Sequence, residues 1–200
     1  MVIGHSSFVR GKRTIYLHLV QCSFLLSDYL TLNVNHLAYH QYKKRGFNGI
    51  IRAKICPSGS QSGEQYVRTQ YPVEVKAYRQ NRNRVSIGLV VLIDADTGGL
   101  QERLNQLDLA LSEDSQQSRQ PDDAIAIFIP KRNIETWIHF LQGETVDEET
   151  EYSKYQNEAA CKPSVENLAE QCRSQNLPDN APASLQAACG ELQRLLQLLK

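Results

Sequence analysis

Apolar and polar positions fall into blocks along this chain, and the blocks predict its elements. Arg13–Val20 is rich in β-branched and aromatic residues and reads as a strand. Asp28–Arg45 is apolar at mixed spacing and ends in Lys43-Lys44-Arg45-Gly46, the mark of a helix with a basic last turn and a glycine stop. Ile50–Ile55 alternates and reads as a second strand, followed by a Ser/Gly loop over 57–63. Glu64–Asn81 predicts a helix that Pro72 should kink or restart. Ser86–Ile93 is nearly continuous apolar sequence, the pattern of a strand covered on both faces. Thr97–Ser112 carries Leu100, Leu104, Leu107 and Leu111 on one helical face. A polar loop leads to the strand Ala124–Ile129, which Pro130 stops. Asn133 is placed to cap a short helix from Ile134 to about Leu141. An acidic stretch, Gly143–Tyr155, reads as a solvated connection to helices over Pro163–Ser174 and Ser184–Leu199.

This alternation predicts an α/β fold with a mostly parallel central sheet, helices on both faces and additional C-terminal helices. Residues 1–142 form the α/β domain in this reading, and 143–200 pack on it. No stretch has the roughly 18 apolar residues of a membrane span. The first 13 residues lack a signal peptide's apolar core, so a cytoplasmic location is expected. The five cysteines form no CxxC and their number is odd, which reads as reduced thiols. Net charge is zero but unevenly spread. Residues 1–87 carry +10 and residues 88–200 carry -10. Such asymmetry fits a nucleic-acid surface on the basic half, and equally two faces that attract each other.

The residues with the clearest chemistry are Asp94 and Asp96. They follow the buried strand at its carboxyl end, where open parallel sheets bind ligands. One intervening residue lets both carboxylates lean toward a common point, and Mg²⁺ or Mn²⁺ needs only one or two carboxylates besides water. The bland alternative is a helix cap and a solvated acid. Glu135 lies in the first turn of the helix after the next strand. It reads either as a third ligand or catalytic base, or as an acid complementing the helix dipole. Lys131 and Arg132 beside it can hold a phosphate. Arg68, Arg79, Arg82 and Arg84 supply much of the basic excess and are candidate contacts to a nucleic-acid backbone. Trp137 reads as core. The loop at 57–63 has no Walker spacing, so turn chemistry competes with a nucleotide-binding role. His36 and His40 share a helical face but lack the glutamate of a zinc-protease motif.

Gly88-Leu-Val-Val-Leu-Ile-Asp-Ala-Asp96, with Ala124-Ile-Ala-Ile-Phe-Ile-Pro-Lys-Arg-Asn-Ile-Glu-Thr-Trp137, resembles small bacterial TOPRIM-like proteins. These are related in fold to the metal-binding domains of topoisomerases, primases and overcoming-lysogenisation-defect nucleases. The resemblance covers roughly residues 50–170. It implies a magnesium site at Asp94 and Asp96 with Glu135 as a further acid, a nuclease or related phosphoryl-transfer activity, and a partner in phage defence. It also implies a glutamate just after the first strand, where this chain has Gln21-Cys22-Ser23. That departure leaves a catalytically degenerate, nucleic-acid-binding subunit as the alternative.

Overall fold

A computed structural model describes residues 14–21, 48–57, 62–153 and 162–199. The helix expected over 28–45, the His36/His40 pair, Cys22 and Cys161 lie outside these residues. Four strands, β1 (Thr14–Gln21), β2 (Asn48–Ile55), β3 (Ser86–Leu92) and β4 (Ile125–Phe128), form one sheet in the order β2-β1-β3-β4. Every pairing in it is parallel. Gln21 of β1 stands opposite Leu92 of β3, and Leu92 opposite Phe128 of β4. From Ile87 to Leu92 and from Ile125 to Phe128 every residue is buried. Successive strand side chains point to opposite faces, so both faces of β3 and β4 are covered.

Five helices are described: α1 (Gly63–Asn81), α2 (Leu100–Glu113), α3 (Glu135–Leu141), α4 (Lys162–Ser174) and α5 (Ala183–Leu198). α1 packs on β1, β3 and α2, while α5 packs on β4 and α4. Ser62 caps α1, accepting the Gln65 amide at 3.3 Å. Pro72 does not interrupt this helix. Its carbonyl instead accepts the Gln116 side-chain amide at 2.7 Å. α2 begins three residues after the expected Thr97, at the first leucine of its apolar stripe. Before it, Gly98 sits in a close turn: its amide donates to the Ala95 carbonyl at 3.1 Å, and a Cβ there would lie 3.2 Å from that carbonyl. The close turn at 95–99 therefore takes residues that would otherwise open the helix.

β4 is an edge strand, and its outer backbone groups need partners. Side chains of α5 and the preceding loop provide them. Glu191 Oε2 accepts the Ile127 amide at 3.1 Å, and Arg119 Nη1 donates to the Ile125 carbonyl at 3.1 Å. Arg194 donates to that same carbonyl and, at 2.8 Å, to the Asp123 carbonyl. Burial pushes the Glu191 carboxyl upward, but its hydrogen bonds and charge pairing with Arg119 outweigh this and hold it below the usual range. Cys172 and Cys189 are joined by a disulfide between α4 and α5, with Cα atoms 5.0 Å apart. The expectation of reduced thiols thus fails for this pair, because helix packing joins cysteines that no local spacing connects. Cys56 is buried and donates to the Pro57 carbonyl.

Tyr71 is fully buried in α1, and among the described residues its hydroxyl has no hydrogen-bond partner. An unmet buried hydroxyl costs roughly 1–3 kcal/mol. Tyr71→Phe is therefore expected to raise stability by about 1 kcal/mol, read as a higher denaturant midpoint with unchanged slope.

Candidate active site at the carboxyl ends of the strands

The strand order has a functional consequence. From β1 the chain passes outward to β2, then returns to the other side of β1 to form β3. The gap between the carboxyl ends of β1 and β3 is thus the switch point at which such sheets bind ligands. Asp94 and Asp96 leave β3 at that point.

Their geometry is set by the residue between them. Ala95 is buried, Asp94 half-buried and Asp96 exposed. The Ala95 amide donates to the Pro130 carbonyl at 2.9 Å, continuing the ladder in which the Ile93 amide donates to Phe128 at 3.1 Å. The exits of β3 and β4 therefore run side by side beyond both strands. They separate at an isolated bridge between Asp96 and Arg132. Both of these residues are left-handed, at φ 56° and 62°. Aspartate tolerates that region, whereas arginine adopts it only when its surroundings impose it. This bridge sets the backbone of Arg132, next to Lys131, beside Asp96.

Arg103 of α2 is a site residue that sequence reasoning missed. Its side chain is 8% exposed, and Nη2 faces the Ala95 carbonyl at 3.5 Å. Nη1 meets Glu64 Oε1 at 2.5 Å in the first turn of α1, and Gln106 Oε1 at 2.6 Å. Arg68 reaches the same Glu64 oxygen at 2.9 Å. Burial alone would raise the Glu64 carboxyl, but the two guanidinium groups hold it below its ordinary value. Arg103 thus ties the Asp94–Asp96 turn to the start of α1. The available signal was a charge inside the Leu100, Leu104, Leu107, Leu111 stripe. Arg103→Gln is expected to cost about 2 kcal/mol, within the range for charged hydrogen bonds. It should also speed amide exchange at 95–98. Thermal melts and hydrogen exchange check this, with Arg103→Lys restoring part of both.

The remaining candidates divide. Glu135 is buried in the first turn of α3 at the carboxyl end of β4. Among the described residues, no group of three or more His, Cys, Asp or Glu is arranged to hold a metal. Asp94 and Asp96 bring two carboxylates, the hard oxygen donors Mg²⁺ takes alongside its remaining waters, to this strand end. Arg79 and Arg82 lie at the other end of the sheet. They grip the fully buried Asp123 at 3.2 and 2.5 Å, ahead of β4. Arg84 is exposed on the turn after α1. Trp137 is core, and its indole donates to Ser184 Oγ at 2.8 Å.

One local expectation is corrected and another refined. Asn133 does not cap α3, since the cap position is Ile134. Its side-chain amide instead donates to the Tyr152 carbonyl at 3.1 Å. The described part of the acidic stretch, 143–153, is largely solvent-exposed, as expected, and also folds back as a strap over α3. His139 holds it through Glu144 Oε2 at 2.8 Å and the Ser153 carbonyl at 3.1 Å. Burial works against the imidazolium, yet these two acceptors raise the His139 pKa overall.

No family model, curated protein or solved structure matches the chain. Among the described residues, no helix is long and apolar enough to cross a membrane.

Proposed function

We propose that this chain is a Mg²⁺- or Mn²⁺-dependent phosphoryl-transfer protein of TOPRIM-like type, a nuclease or nuclease-related component acting on nucleic acid within the cytoplasm, in the setting of phage defence. The observation that most supports this reading is the placement of Asp94 and Asp96 at the β1/β3 switch point on a turn fastened through both backbone groups of Ala95. A carboxylate pair held this way is pre-organised for a cation. Asp94 and Asp96 bind the metal in this proposal. Lys131 and Arg132 hold a phosphodiester beside it, and the buried Glu135 carboxyl would bind the metal or orient water. When bound, the metal would polarise a phosphoryl oxygen and lower the pKa of an attacking water. Arg103 keeps the turn from relaxing while Asp94 and Asp96 share one charge.

A specific observation favours a second reading, a catalytically degenerate binding subunit. Gln21 closes β1 directly opposite Leu92, at the place where the resemblance implies a glutamate. Calorimetric titration of Mn²⁺ and Mg²⁺ into wild type and Asp94→Ala/Asp96→Ala separates the two, with cleavage assays on single- and double-stranded DNA and RNA. Binding and cleavage both lost in the variant support the enzyme. Binding without cleavage supports the subunit. Equal behaviour of wild type and variant rejects both.

A further inference from the structure

Lys131 and Arg132 are covered by the protein's own acids. Lys131 Nζ meets Glu149 Oε1 at 2.8 Å, and Arg132 Nη2 lies 3.8 Å from Glu151 Oε2. The two pairs are lopsided. The cation side chains are 28% and 22% exposed, whereas Glu149 and Glu151 are 81% and 76% exposed. Among the described residues, Arg132 Nε is buried with no hydrogen-bond partner, so Glu151 satisfies the guanidinium only in part there.

The strap that carries these acids is fixed by other means. Asn133 and His139 hold the backbone carbonyls of Tyr152 and Ser153. Asp147 accepts the amides of Glu149 and Thr150 at 2.9 and 2.6 Å, which shapes the turn presenting Glu149. Glu148 accepts the Ser184 amide at 2.9 Å, tying the turn to α5. The backbone of the strap therefore stays in place if Glu149 and Glu151 swing away. Exposed ion pairs contribute little and exchange readily. A phosphodiester oxygen offers Lys131 and Arg132 the same anionic acceptor, with the geometry a guanidinium prefers.

We propose that Glu149 and Glu151 are an internal anionic competitor occupying the nucleic-acid-backbone site of Lys131 and Arg132, displaced when a phosphodiester chain binds. The proposal rests on the nucleic-acid reading above but not on the metal. Binding is therefore measured in EDTA, by fluorescence anisotropy of short labelled single-stranded DNA and RNA, at low and moderate salt. Glu149→Gln/Glu151→Gln is expected to tighten binding about tenfold over wild type, up to about fivefold for each exposed pair. The gain should shrink with added salt. It should vanish when Lys131→Gln/Arg132→Gln is added. Both glutamates are exposed, so the melting temperature should hold.

Unchanged affinity, or no binding by either protein, overturns the proposal. So does a gain that survives loss of the two cations, which would be a general charge effect. A gain seen with labelled polyglutamate but not with either oligonucleotide would assign the site to an acidic protein instead. Loss of Mn²⁺ binding in the earlier titration leaves these outcomes untouched, so the two readings fail separately.

Discussion

Asp94→Asn is expected to lower metal-dependent cleavage about a thousandfold and to weaken Mn²⁺ binding about a hundredfold, with little change in melting temperature. The rate follows from the charge stabilisation a metal supplies to phosphoryl transfer. Losing about 4 kcal/mol of it is roughly a factor of 10³. The affinity loss is smaller because Asp96 keeps one carboxylate on the ion. Stability should hold for a separate reason. Asp94 is half-buried, and asparagine keeps its shape. A neutral or slightly higher melting temperature with lost binding is the signature of a site maintained for function rather than for folding. A fall of many degrees would instead make Asp94 a structural acid. Calorimetry and a thermal melt on one preparation decide between these outcomes.

The parts of this site that were legible in the sequence are those with local causes. The run from Ser86 to Ile93 is apolar because both faces of β3 are covered, and Asp94 follows where that cover ends. Burial writes such a strand directly into composition. The position of β1 between β2 and β3 has no local cause, yet it is what makes the end of β3 a switch point. Arg103 was missed because periodicity assigns a helical face without saying what a charge on that face will meet. It meets Glu64, 39 residues earlier in the chain. Lys131 and Arg132 were legible as cations and Glu149 and Glu151 as solvent-facing acids, but not as ion-pair partners. Only the fold back through Asn133 and His139 sets them opposite each other. The basic excess of the first half misled in a similar way. Arg79 and Arg82 count toward a positive surface in one dimension, while in space they are engaged by one buried carboxylate.

That carboxylate supports the second large prediction. Asp123→Ala is expected to cost about 3 kcal/mol, near the low end for breaking a buried ion pair from one side. Asp123 is fully buried and accepts from Arg79, from Arg82 and from the Gln120 amide at 3.0 Å. Alanine would leave two guanidinium groups facing each other across a vacated space, with a backbone amide unmet. Their side chains are 23% and 36% exposed, so water can recover part of the loss, which is why the lower figure applies. In a chain of this length that is a fall of roughly 10 °C in melting temperature. The same variant tests where nucleic acid binds. Asp123 sits at the amino end of β4, across the sheet from Asp94, Asp96, Lys131 and Arg132. If those residues form the site, Mn²⁺ and oligonucleotide affinity should be unchanged well below the new melting point. If Arg79 and Arg82 were backbone contacts instead, removing their internal anion would free them and tighten oligonucleotide binding. Stability lost with affinity unchanged would therefore locate the interface at the carboxyl end of the sheet, and a gain in affinity would move it to the opposite end.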